Sequence, residues 1–140
     1  MTKIKSLIFI VLLSFIFSSC TSSIGDIGKT MALVNSLEKL GISPEAAIGG
    51  LGGILSLAKG KLDPADLTKV MGAFPDANNI MKEAKKLGVG NVTDMADLGK
   101  TFSKLGMKPT DVTKFIPAVT KYVGTNGGTG AADILGGLLK

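Results

Sequence analysis

Sixteen lysines, eleven acids and one thiol carry most of the chemistry open to this chain; histidine and arginine are both missing. Without histidine there is no side chain whose ordinary pKa falls near neutrality for acid–base work. With neither histidine nor a second cysteine, a zinc site would have to use carboxylates alone, which zinc sites rarely do. Ser56 and Lys59 stand in an S-x-x-K spacing that could pair a hydroxyl nucleophile with an amine, but no S-D-N or K-T-G segment accompanies them. They read as a late-helix serine and a lysine placed well for the helix dipole. Gly28-Lys29-Thr30 and Gly99-Lys100-Thr101 end like a phosphate-binding loop, yet Ser23 and Asp94 occupy the places where its first glycine belongs. Asp63 with Asp66, and Asp94 with Asp97, are carboxylates three apart that could chelate from one helix face. Their position at helix starts makes them caps and first-turn acids instead. Met31, Met71, Met81, Met95 and Met107 fall on apolar stripes or beside them and read as packing rather than soft-metal ligands. No catalytic residue, metal site or cofactor is expected, and the chain is read as not being an enzyme.

The thiol is different. Cys20 is the only cysteine, so no intrachain disulfide can form. Before it come Lys3 and Lys5, then the 12-residue apolar run Ser6–Phe17, then Ser18 and Ser19. That run has signal-peptide length; a membrane span needs about 20 residues. The segment resembles the lipobox of bacterial lipoproteins, with small residues at −2 and −1 and Phe17 at −3, where leucine is usual. The resemblance implies removal of residues 1–19 and a diacylglycerol thioether, with palmitate-type acylation, on Cys20. Residues 20–23 would then form a short tether and residues 24–140 one domain. Thr21 follows the cysteine where inner-membrane retention in enteric bacteria goes with aspartate. The expected home is therefore the cell envelope, on the outer membrane sooner than the inner.

The elements behind these residues read as helices throughout. Apolar residues step by three and four from Ile24 onward, with no clean period-2 run. The spacing predicts helices near 24–40, 44–59, 64–73, 76–87, 92–105, 109–123 and 131–139, hence an all-α single domain. Leu40-Gly41-Ile42, Leu87-Gly88-Val89 and Leu105-Gly106-Met107 have the composition of a Schellman stop, a glycine followed by a hydrophobe that folds back. Pro44, Pro64 and Pro109 mark first turns, with Lys108 a poor cap for the third. Pro117 should kink its helix. Gly124–Gly130 reads as a flexible loop, and the last helix as loosely docked.

The second helix is unusual. No charge lies between Glu45 and Lys59, and Ile48, Leu51, Ile54, Leu55 and Leu57 cover most of its circumference. A helix apolar all round is buried or in lipid. Gly49, Gly50, Gly52 and Gly53 each cost about 1 kcal/mol of helix propensity relative to alanine. Close approach of neighbouring helices would offset that, with Gly50 or Gly53 expected to face another backbone. The domain is expected to wrap around this helix.

Charge narrows the partners. With Lys3 and Lys5 in the leader, 14 lysines face 11 acids, a mild +3 with no concentrated block. Nucleic-acid binders need a basic face, usually with arginine and aromatic platforms; here Phe74, Phe102, Phe115 and Tyr122 are the only aromatics after the leader. No nucleic-acid partner is expected. The stretches LGISPEAAIGGLGGILSLAKGKL, KLGMKPTDVTKFIPAVTKYV and GAADILGGLL resemble the VcgC/VcgE-like bacterial proteins of unknown function, from about Leu37 to Leu139. That resemblance implies no activity, cofactor or catalytic residue. The expected function is a membrane-anchored, non-catalytic interaction or structural module. Its partners would be the membrane, through the lipid on Cys20, and another envelope protein or itself. The alternative is a membrane-active module, or one binding lipid or an apolar ligand, that uses the Gly-rich helix.

Overall fold

A computed structural model describes residue 28 and residues 30–140. Seven α-helices follow in order: α1 Met31–Lys39, α2 Pro44–Lys61, α3 Pro64–Gly72, α4 Ala77–Lys86, α5 Met95–Lys104, α6 Pro109–Gly127 and α7 Thr129–Leu138. No strand occurs among the described residues, so the all-α expectation holds. Cys20, the leader, the tether and the expected first turns at 24–27 lie outside the described residues.

The stops are as the composition predicts. Gly41, Gly88 and Gly106 take φ of +89°, +87° and +78°. Each following N–H reaches back over the turn: Ile42 donates to the Leu37 carbonyl at 3.1 Å, Val89 to Ala84 at 3.0 Å and Met107 to Phe102 at 3.0 Å. The glycine N–H groups donate to Glu38, Lys85 and Ser103. Both bonds of the Schellman motif are therefore present three times, and Ile42, Val89 and Met107 are buried beneath them.

The starts are capped by side chains. Ser43 Oγ accepts the Ala46 N–H at 3.2 Å, Asp63 the Asp66 N–H at 2.9 Å, and Asp94 the Asp97 N–H at 2.8 Å. Lys108 cannot accept such a bond, so α6 is capped in reverse: the Asp111 carboxylate accepts the Lys108 N–H at 2.9 Å. That reach from the third helical position is half of a capping box, and it removes the weakness expected at this start. Helix α5 begins three residues later than predicted. Val92 donates its N–H to Ser56 Oγ at 3.3 Å, which ties the segment before α5 to α2 rather than into its own helix.

Helix α2 is the axis of the fold. It is buried without interruption from Ala46 to Leu55, and again at Leu57 and Ala58. Helices α1, α3, α4, α5 and α7 all pack on it, α4 most intimately, and α6 reaches it through the Phe115 ring. Its four glycines do different jobs. A Cβ on Gly52 would collide with Ala84 Cβ and lie 3.5 Å from the Ile80 carbonyl oxygen and 3.7 Å from Ala84 Cα. Here two backbones meet. A Cβ on Gly50 would sit 2.7 Å from Phe115 Cζ and 3.1 Å from Phe102 Cε1. Those two rings pack edge to face, centroids 5.4 Å apart at 67°, and Gly50 is the slot that admits them. Gly49 faces the Leu105 methyls at 2.7 Å, and Gly53 faces Leu98 Cδ1 at 3.0 Å. The expectation that Gly50 or Gly53 faces a backbone is thus corrected: that contact belongs to Gly52, and its neighbours accommodate side chains.

The C-terminal end also departs from expectation. Gly124–Gly130 is not a flexible loop. Helix α6 continues through Pro117 to Gly127, and a single residue, Gly128 at φ +87°, separates it from α7. The Thr125 hydroxyl donates to the Lys121 carbonyl at 3.0 Å, and the Asn126 amide donates to the Tyr122 carbonyl at 2.9 Å. A Cβ on Gly127 would lie 3.0 Å from Ala73 Cβ and 3.2 Å from the Lys69 carbonyl, so this glycine serves the approach of α6 to α3. Nor is α7 loosely held: Ala131, Leu135 and Leu139 are buried, and it packs on α3 and α6.

Two measurements follow. In urea titrations Gly52→Ala should lose stability: overpacking typically costs about 1–3 kcal/mol against about 1 kcal/mol of propensity regained. Gly136→Ala should gain up to about 1 kcal/mol, because it lies inside α7 and a Cβ there meets nothing within 4 Å. A Gly52→Ala protein clearly more stable than wild type would refute the backbone contact.

The other concerns acid. Asp97 accepts the Thr93 hydroxyl at 2.7 Å and the Thr93 N–H at 3.4 Å. These bonds, the hydroxyl first, hold its carboxyl below the usual range; slight desolvation opposes them and Lys100 assists. A lowered folded pKa means the contribution is present above the unfolded value of about 3.9 and is lost as pH falls through the folded one. The difference in Tm between wild type and Asp97→Asn should therefore shrink between about pH 5 and pH 2. A difference constant across that range would contradict the assignment.

Candidate functional site

Of the residues singled out for chemistry, Cys20 lies outside the described residues. Gly49, Gly50, Gly52 and Gly53 are together in the core as packing positions, and no two of the remaining candidates form a constellation. Ser56 is half-buried and its oxygen is taken by the Val92 N–H, while Lys59 is exposed. Asp63 and Asp94 are caps, and Asp66 pairs with Lys69 at 3.2 Å on the surface. Gly99, Lys100 and Thr101 lie inside α5, where the Thr101 hydroxyl donates to the Asp97 carbonyl at 2.9 Å. A phosphate loop needs free N–H groups on an open turn, and a helix interior has already used them. Met107 is buried, and Met31, Met71, Met81 and Met95 pack against the core. Among the described residues no group of three or more His, Cys, Asp or Glu could hold a metal.

The charged residues are arranged for solvent. The ion pairs described are Lys69–Asp66, Lys86–Glu83 at 2.6 Å and Lys100–Asp97 at 3.9 Å, each within one helix and spaced by three. Exposed pairs of this kind contribute little, about 0–1 kcal/mol each. Thr30, at the start of α1, is fully buried, and its hydroxyl has no hydrogen-bond partner among the described residues.

Two adjoining hollows open at the junction of α1, α6 and the α3–α4 turn. A hollow of about 320 Å³ opens between Ala32, Leu33 and Ser36 of α1 and Ala118, Lys121 and Tyr122 of α6. A second, of about 480 Å³, shares Ala32, Tyr122 and Asn126 with it and ends at Gly72, Ala73 and Pro75. Tyr122 forms the wall common to both. Its ring is held against Phe74, centroids 5.4 Å apart at 31°, and Phe74 is buried in the core. Sequence periodicity placed Tyr122 on no core stripe and marked none of the groove residues. The signal open to notice was its position as the lone tyrosine.

No helix among the described residues is long and apolar enough to cross a membrane. No curated protein and no solved structure matches the chain. One family model does, that described as protein of unknown function VcgC/VcgE (DUF2780), over residues 21–140. The match extends the likeness beyond the expected 37–139, so that α1 is included. The chain therefore belongs to the VcgC/VcgE family of proteins of unknown function.

Proposed function

We propose that this protein is a bacterial envelope lipoprotein, anchored through Cys20, whose helical domain is a non-catalytic interaction or structural module. The observation that carries the proposal is the placement of the one thiol. It follows a basic start, a 12-residue apolar run and two serines, the one position at which lipoprotein processing uses a cysteine. The use of the domain's polar groups supports the rest. Asp63, Asp94, Asp97 and Asp111 are engaged at helix starts, and Ser56 ties down the segment before α5. These groups hold helix starts and the segment before α5 in place. Such a domain presents surface rather than reactive groups, and its partner would be another envelope protein or a second copy.

A membrane-active role for the Gly-rich helix is disfavoured by packing. Helix α2 has neighbours on all sides, and its buried apolar residues would have to leave the core before they could meet lipid. Five large aliphatic side chains of α2, Ile48, Leu51, Ile54, Leu55 and Leu57, are buried there, and their close-packed contacts would all be lost.

The anchor is tested by metabolic labelling with an alkyne fatty acid in the native host. Wild type should incorporate the label and sediment with membranes. Cys20→Ala should lose the label, and the protein should be released or held as an uncleaved precursor. Labelling of Cys20→Ala at the wild-type level would end the lipoprotein reading.

A further inference from the structure

The groove between α1 and α6 has a composition that selects its occupant. Its volume places it among ligand sites, which run from about 300 to 1,000 Å³. It is too small for a stable protein interface: roughly a dozen residues line the two hollows, against about 20–30 a side for such a contact. Ala32, Ala118 and the Tyr122 ring, with the edge of Leu33, make the first hollow largely apolar, while the second, ending at Gly72, Ala73 and Pro75, is evenly polar and apolar. One charged residue lines it, Lys121, and no acid lines either hollow. Among the described residues Lys121 enters no ion pair. Two of the lining hydroxyls are engaged locally: Ser36 donates to the Ala32 carbonyl at 2.8 Å and Thr125 to that of Lys121. A hollow walled mostly by apolar atoms, with a single uncompensated cation beside it, suits a ligand with one chain and one negative end. Burying a chain there gains about 25 cal/mol per Å² of apolar surface, while the ammonium stays at the rim, where a head group keeps its water.

We propose that this groove binds a single-chain amphiphile with an anionic head, the chain lying along Leu33, Ala118 and the Tyr122 ring and the head at Lys121. The wall is preorganised, because Tyr122 is fixed by Phe74 and the groove-side backbone belongs to two helices rather than to loops. The site is separate from the Gly-rich helix and does not depend on the anchor at Cys20.

The test uses the full chain in its native membranes with a photoreactive diazirine analogue of a medium-chain fatty acid. After irradiation, adducts are located by peptide mass spectrometry. They should concentrate on the segments containing residues 32–36 and 118–126. Laurate should compete for them, and dodecyltrimethylammonium, which has the same chain and the opposite charge, should not. Ala32→Phe and Thr125→Phe fill the groove from opposite walls at exposed positions. Each should remove most of the labelling while leaving the helical circular dichroism and thermal melt unchanged. Lys121→Gln should weaken laurate competition several-fold and leave the adducts in place. Adducts scattered over the surface, or undiminished in both phenylalanine variants, would overturn the site. Equal competition by the cationic amphiphile would overturn the assignment of the head group.

Discussion

The fold turns on the place where α2 crosses α4. There, at Gly52, one helix has no side chain, and the other offers only the Ala84 methyl and the Ile80 carbonyl. Dispersion attraction falls off within fractions of an ångström, so two helices brought this close gain contacts along their whole shared length. The approach is possible only because residue 52 has no Cβ. From this crossing the rest of the packing follows. With α4 drawn in on one side, Gly50 leaves a slot on another for the Phe102–Phe115 pair, which brings α5 and α6 to the same axis. Gly53 and Gly49 then take Leu98 and Leu105. Four glycines would weaken an isolated helix by about 4 kcal/mol in total. The helix persists because its surroundings are more favourable with them than without.

An axis of this kind explains the economy of the remainder. The other helices are mostly nine or ten residues long, too short to be stable alone in water. Several are fixed at their ends instead. Schellman turns close α1, α4 and α5, and side-chain caps open α2, α3 and α5. Each hydrophobe after a Schellman glycine returns to the core, so the stop also aims the next segment. The polar residues thus determine where helices begin and end, while the apolar ones determine what they touch.

Much of this was legible in the sequence because the signals are local. A glycine flanked by hydrophobes, or a proline after Ser43 or Asp63, acts within one turn, and the structure agrees to within a few residues. The buried state of α2 was also readable, since a helix apolar all round has few alternatives. What could not be read was tertiary. Gly124–Gly130 has the composition of a loop, yet Gly127 is there to let α6 approach Lys69 and Ala73; nothing near it in sequence names that partner. The choice of Gly52 over Gly50 and Gly53 as the backbone contact likewise depends on the rotation of α4, which periodicity does not give. The α1–α6 groove escaped notice because it is made of alanines, a serine and a tyrosine that belong to no motif and meet only in the folded chain.

Helix α2 is the axis on which all the other helices depend. Native-state hydrogen exchange on the purified full chain tests it most directly, because it resolves local from global opening. Amides from Leu51 to Leu55 in α2, and from Ile80 to Ala84 in α4, should be the slowest of all. They should share one opening free energy, equal to that of global unfolding measured by denaturant. Amides of α2 that exchange through a smaller, local opening, while α3, α6 and α7 remain protected, would show that the domain holds together without its Gly-rich helix and would contradict the account.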